Sequence, residues 1–194
     1  MNGSVDKVYS SPEYLITIAA RVCHDREYKA PNDEADKKLI KNLLKHRHMK
    51  PFDFPTITWR VVLPIYVERQ FRVYRSMTAL ERSMRSEAPI EYSYKEFLPS
   101  WQADALKNYE SMKEKGYPRE VARAVLPVGS FTTIICQFTC RGALHMFEER
   151  LTKEAQQETR FYAQLMFEDF EQSFPFVAEA FKELNPNLLY EKGV

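Results

Sequence analysis

Glycine is scarce in this chain: five residues in 194, at positions 3, 116, 129, 142 and 193. They are too few and too scattered to build a phosphate-cradling loop or a dinucleotide fingerprint, so any nucleotide bound here must be held mainly by side chains. Cysteine is also scarce. Cys23, Cys136 and Cys140 are an odd count with no paired framework, which points to reduced thiols in a cytoplasmic protein. Cys136 and Cys140 stand four apart with no second Cys or His cluster to complete a zinc site. They read as packing residues, and no metal is assigned. No run approaches the roughly 18 apolar residues that a membrane span requires, and the N-terminal region carries no signal-peptide pattern. At 44% hydrophobic and 28% charged, the 194 residues fit a single globular domain spanning 1–194.

What is present is a local excess of arginine. The segment Arg69–Arg85 holds Arg69, Arg72, Arg75, Arg82 and Arg85 against one acid, Glu81, and sums to +4, while the whole chain sums to +1. A cation concentrated on an otherwise balanced protein points to a local anionic ligand rather than a long polyanion. A solvated basic helix face is the plainer reading of the charge alone. Gln70, Glu81 and Ser83 add acceptors and neutral donors among the guanidinium forks, a mixture suited to a phosphate plus a polar ring.

Apolar periodicity predicts a helix opening at Pro12 and continuing through Leu15, Ile16, Ala19, Ala20 and Val22, and a second from Asp33 to about Arg47 with Leu39, Ile40, Leu43 and Leu44 buried. One of His46 and His48 reads as a cap at the end of the second helix. Thr56–Leu63 and Ser130–Thr139 read as strands. Pro64 opens a helix expected to carry Tyr66, Arg69, Gln70, Val73 and Tyr74, and the failed pattern from Ser76 to Ser86 reads as an exposed loop. Further helices are expected from Ser100 to Lys115, closed by Gly116, then from Pro118 to Leu126, from Arg141 through Leu151, from Lys153 to Phe170 and from Pro175 to Leu184. Together these predict an α+β fold, a small sheet flanked by long helices.

The order of these pieces resembles the flavin-dependent thymidylate synthases over roughly Leu43–Leu184. That family is marked by Arg-His-Arg, seven residues, then Ser. Here Val73-Tyr74-Arg75 is followed at the same spacing by Ser83, with Glu81 and Arg85 in place. Arg119–Pro127 is similar to the family's helix ending in Leu-Pro, and Arg150 followed by Ala155-Gln156 and Glu158 is similar to its late arginine helix. His48 with Pro51-Phe52-Asp53 is similar to its His-x-x-Pro-Phe-Glu segment. The departures cluster. Val73 and Tyr74 replace the first Arg and the His of the signature, Glu154 replaces a late His, and His145 replaces an Asn. Arg72 lies one position early, and a one-residue slip turns a helical side chain by about 100°.

The resemblance implies a thymidylate-synthase-complementing-like fold, assembled as a homotetramer with sites between subunits. It also implies FAD as cofactor, with methylenetetrahydrofolate and NADPH as co-substrates, and methylation of a uracil nucleotide at carbon 5. On its terms Arg150 is catalytic and meets the pyrimidine, while Gln70, Arg72, Glu81, Ser83, Arg85 and Arg123 hold the rest of the nucleotide. His48, Lys50, Val73, Tyr74, Arg75, Glu81, Thr139, Arg141 and His145 are then the flavin-side residues. From the residues alone, Arg123 and Arg150 are equally placed to pair with Glu120 and Glu154, Tyr74 to pack in a core, and His145 to be a satisfied core histidine. Two alternatives stand beside the methylase. One is the same fold acting on UMP or making a 5-hydroxymethyl product. The other is a nucleic-acid module in which Phe71 and Tyr74 stack on bases.

Overall fold

Alternation along Thr56–Pro64 (β2) sets the architecture. Ile57, Trp59, Val61 and Leu63 are fully buried, and Arg60 between them is exposed. A strand that is apolar on one side needs a layer on that side only. A computed structural model describes residues 3–22, 31, 33–83 and 100–191. In it β2 is central to a four-stranded antiparallel sheet with Ser4–Ser10 (β1), Met77–Glu81 (β3) and Phe131–Thr139 (β4), in the order β1-β2-β4-β3. The β2–β4 register sets Trp59 opposite Cys136 and Ile57 opposite Phe138, so the inward side chains of both strands form one surface. The α+β expectation holds, and both strands read from the sequence are present.

The helices are Leu15–Val22 (α1), Asp33–Lys45 (α2), Ile65–Phe71 (α3), Ser100–Glu114 (α4), Arg119–Ala122 (α5), Cys140–Arg150 (α6), Gln157–Ser173 (α7) and Pro175–Leu184 (α8). Ile40, Leu43 and Leu44 of α2 are buried as their spacing predicted. The ring nitrogen of His46 lies 2.9 Å from the Asn42 carbonyl and caps that helix. Gly116 closes α4 with φ +79° and its N–H on the Lys113 carbonyl, the left-handed turn its position announced. Over the inner face of the sheet, α6, α7 and α8 bring together Phe147, Phe167, Phe170 and Phe174, with Phe147 5.0 Å from Phe167 and Phe170 5.0 Å from Phe174, centroid to centroid. Burying rings of this size is worth roughly 2–3 kcal/mol each, and the edge-on pairing of Phe147 with Phe167 at 86° is the favoured aromatic geometry.

Five expectations need correction. The first helix begins at Leu15 rather than Pro12, and Val22 is 70% exposed instead of continuing the buried face. β1 escaped notice because its exposed residues leave it little apolar alternation; pairing with β2 makes it a strand. α3 stops at Phe71, so Val73 and Tyr74 lie on a turn, with Tyr74 N–H on the Phe71 carbonyl at 3.2 Å. Within the supposed loop Ser76–Ser86, Met77–Glu81 form β3, an edge strand paired to β4 that shows an apolar face only at Met77 and Ala79. Lastly, α7 begins at Gln157 rather than Lys153. The segment Ile90 to Leu98 lies outside the described residues, as do Cys23 and Arg85. Cys136 and Cys140 are buried free thiols, and burial raises the first to about 12 and the second well above the ordinary thiol value, which fits packing and not chemistry.

Candidate active site

The short turn Val73–Ser76 reaches the first turn of α6 because residue 142 has no side chain. A Cβ on Gly142 would lie 2.7 Å from the Ser76 Cβ, and closer still to its Oγ. Thr139 caps α6, its hydroxyl accepting from the Gly142 N–H at 3.1 Å, so the cap and the close approach coincide. Gly142→Ala is therefore expected to push the turn outward and to destabilise the fold by about 1–3 kcal/mol. Urea unfolding reads the loss; an unchanged midpoint would mean the turn yields freely.

Between this turn, α6 and the C-terminal ends of α2 and α8 lies a cavity of about 1010 Å³. That reaches the upper end of the roughly 300–1,000 Å³ common for ligand sites. Its walls come from four separated stretches: Lys45 at the end of α2 with Arg47 just beyond it, Val73 to Ser76, Arg141 with His145, Glu148 and Glu149 along one side of α6, and Phe181 and Leu184 of α8. The α6 residues recur at the spacing that puts side chains on one helical face. Cations outnumber acids. Arg47 pairs with Glu148 at 2.9 Å and Arg141 with Asp53 at 3.5 Å, while Lys45 and Arg75 have no ion pair among the described residues. Arg47 has φ +56°, a left-handed conformation uncommon for a non-glycine residue. That turn ends α2 and sets the Arg47–Glu148 pair at the cavity rim.

Tyr74 is a buried polar member of the wall, 5% exposed. Its hydroxyl donates to Glu149 Oε2 at 2.7 Å, its ring meets His145 edge-on at 5.8 Å, and the Arg150 guanidinium lies 5.4 Å from its centroid. Burial pushes the phenol's pKa up, the bond to Glu149 adds to the rise and Arg150 opposes it, so Tyr74 stays a protonated donor. The second Glu149 oxygen is 3.6 Å from His145 Nε2. Arg150 Nη2 donates to the Gln70 carbonyl at 3.2 Å, whereas its buried Nε–H has no partner.

Of the flavin-side residues read from the sequence, Val73, Tyr74, Arg75, Thr139, Arg141 and His145 line this one cavity. His48 and Lys50 do not, although Met49 and Asp53 beside them do, and Lys50 pairs with Asp53 at 3.2 Å. Among the nucleotide-side residues, Gln70 and Arg150 are in contact. Arg72 is bound between carboxylates instead: Glu68, nearly buried, at 2.5 Å and Glu81 at 3.2 Å, with Glu81 also accepting from the Thr132 hydroxyl at 2.9 Å. Ser83 follows the end of β3, exposed. Arg123 starts a 3-10 turn after α5, exposed and away from the cavity wall. Neither Arg123–Glu120 nor Arg150–Glu154 forms as an ion pair among the described residues. His145 is exposed to the cavity and is not a core residue. The sequence reading missed Lys45, Arg47, Glu148 and Glu149. The i,i+4 step from His145 to Glu149 was the available sign for the last of these.

The model of the thymidylate synthase complementing protein family matches residues 6–176. This chain belongs to that family. Curated members similar to it include the flavin-dependent thymidylate synthases of Thermotoga neapolitana, 29% identical over 183 residues (84% of this chain, 82% of that one), and Thermus thermophilus, 30% identical over 193 residues (87% and 71%). The family fold is also seen in the crystal structure of a UMP/dUMP methylase, PolB, from Streptomyces cacaoi bound with 5-Br dUMP. It superposes with a TM-score of 0.82 at 22% identity, covering 94% of this chain and 95% of that one. The same methylase bound with 5-Br UMP gives 0.78 at 22% identity, with 96% of each chain covered. The family resemblance read from the motifs is thus borne out.

Proposed function

We propose that the chain methylates carbon 5 of a uracil nucleotide, dUMP by default, with FAD as cofactor and methylenetetrahydrofolate and NADPH as co-substrates. The observation that carries this reading is the convergence of Val73–Arg75 with Thr139, Arg141 and His145 on one large cavity, in a family whose curated members are flavin-dependent thymidylate synthases. The donor set suits FAD: Lys45 and Arg75 are cations without ion pairs among the described residues, and Arg47 and Arg141 stand beside them, as a pyrophosphate requires. Aromatic and aliphatic walls from Tyr74, Leu44 and Leu184 suit a flat ring system.

Carbon 5 of uracil is a weak nucleophile and gains strength when charge is drawn out on the ring oxygen and nitrogen or when carbon 6 takes a hydride. Bound reduced FAD supplies the hydride and the folate supplies the one-carbon unit. The chain's own residues bind, orient and stabilise. Arg150 offers a fixed fork to the developing negative charge of the pyrimidine. Tyr74 holds its proton and closes the inner wall. Gln70, Ser83, Arg85 and Arg123 are assigned to sugar and phosphate. Arg123 stands apart from the cavity within one chain, which a homotetramer with sites shared between subunits accounts for. Membrane attachment is not part of this reading: among the described residues no helix is long and apolar enough to cross a membrane, and a cytoplasmic enzyme is proposed.

A ribonucleotide substrate or a hydroxymethyl product is the second reading, supported by the placement of Val73 and Tyr74, the two altered signature residues, in the cavity wall. A nucleic-acid role is disfavoured because Phe71 is fully buried and Tyr74 nearly so, leaving neither ring open for stacking. Purified protein is expected to show flavin absorbance. Incubation with dUMP, UMP or dCMP plus methylenetetrahydrofolate and NADPH is expected to add one methylene's mass to dUMP. No bound flavin even after added FAD would overturn the assignment, and an added hydroxymethyl or a preference for UMP would select the second reading.

A further inference from the structure

Three positions in this wall, Tyr74, His145 and Glu149, are joined through the single Glu149 carboxylate. One oxygen accepts from the Tyr74 hydroxyl at 2.7 Å and the other faces His145 Nε2 at 3.6 Å. Tyr74 and His145 are two of the residues at which the sequence departs from its family's pattern. A phenol in the core, 5% exposed, needs an acceptor, and Glu149 provides it from the next-to-last position of α6. With its hydroxyl tied, the ring cannot rotate freely, and its face carries the Arg150 guanidinium at 5.4 Å. Arg150 itself lies outside the set of cavity-lining residues, whereas Tyr74 belongs to that set and touches Arg150 as well.

The arrangement also protects Arg150's charge. Glu149 is adjacent in sequence, yet its oxygens are directed to Tyr74 and His145, and no ion pair to Arg150 forms among the described residues. Arg150 is held by the Gln70 carbonyl and the Tyr74 ring, with a buried Nε–H still to be satisfied. A buried guanidinium donor without a protein partner costs free energy in the free protein.

We propose that Tyr74 and Glu149 are positioning residues for Arg150: the carboxylate fixes the phenol, and the phenol holds the guanidinium oriented and unneutralised for the nucleotide. This rests on the methylase reading. It adds a role for the Tyr74 hydroxyl to the wall that the Tyr74 ring forms, and it predicts that losing the hydroxyl's bond lowers nucleotide affinity while flavin affinity, which depends on the ring, is kept.

The test uses FAD-loaded full-length protein, with dUMP and UMP binding measured by calorimetry and FAD affinity measured separately. Tyr74→Phe keeps the ring and the core volume but loses the bond, and Glu149→Leu removes the acceptor. Each is expected to weaken binding of the preferred nucleotide about tenfold, with FAD affinity held within about twofold. The double variant Tyr74→Phe/Glu149→Leu should be no weaker than either single one, because both break the same link. Glu149→Gln keeps an acceptor for the hydroxyl and should restore most of the affinity. Additive losses, a Glu149→Gln variant as impaired as Glu149→Leu, or lost FAD affinity with unchanged nucleotide affinity would each overturn the positioning role while leaving the methylase reading intact. A wild type that binds neither FAD nor either nucleotide would overturn both.

Discussion

Arg150→Ala is expected to lower kcat/KM for dUMP about a hundredfold, roughly 3 kcal/mol of transition-state stabilisation, while leaving the folded structure in place. The guanidinium is only partly buried, and among the described residues it meets the Gln70 carbonyl and the Tyr74 ring face, so little of the core depends on it. Its Nε–H is buried and has no hydrogen-bond partner among the described residues, which is costly in the free protein. Arg150→Lys is expected to recover little, because an ammonium is a point charge and cannot present the flat fork that a pyrimidine edge matches. Steady-state kinetics alongside circular dichroism separates the two effects. A hundredfold loss with native ellipticity supports the assignment, whereas kcat/KM within about threefold of wild type would remove Arg150 from the chemistry.

Stability should fall as pH rises from 5 to 8, and Glu13→Gln should abolish most of that slope. Glu13 sits before α1, partly buried, and accepts the Val177 N–H at the start of α8 at 2.8 Å. Burial raises its pKa from 4.5 to about 7, against the lowering effect of the Val177 and Phe176 amides and with help from the Asp36 carboxylate. Asp36 is itself paired with Arg21 at 2.5 Å, and the Glu13 charge in turn helps keep the buried Cys140 thiol protonated. A carboxyl whose folded pKa lies above its unfolded value binds more protons when folded. Its stabilisation is complete below the unfolded pKa of 4.5 and is lost as pH climbs through about 7. The full span corresponds to about 3 kcal/mol. Glutamine keeps a carbonyl for Val177 without the buried charge, so Glu13→Gln should be the more stable protein at pH 8. Urea midpoints for both proteins across this range provide the comparison; parallel curves would mean Glu13 titrates alike in both states.

The parts of the fold that local pattern controls were legible. Ile40, Leu43 and Leu44 repeat at helical spacing and are buried, and Ile57, Trp59 and Val61 alternate and are buried. Gly116 stops α4 where a left-handed residue is needed. Strand β3 was not legible, since an edge strand with one open face shows only Met77 and Ala79 as partly buried apolar residues. The candidate site was legible in composition but not in grouping. Arg72 looked as available as Arg75, and only packing shows that Glu68 and Glu81 hold the first while the second faces the cavity without an ion pair among the described residues.

Residue order alone determined the family, most of the helices, the two central strands, and the need for side chains rather than a glycine loop to hold a nucleotide, because these follow from spacing and from the chemistry of single residues. Tertiary structure decided which charges remain available and where they meet. A guanidinium's role depends on which carboxylates lie within a few ångströms of it. That distance was set by Gly142 admitting the Val73–Ser76 turn and by Tyr74 reaching Glu149 across 75 residues of chain.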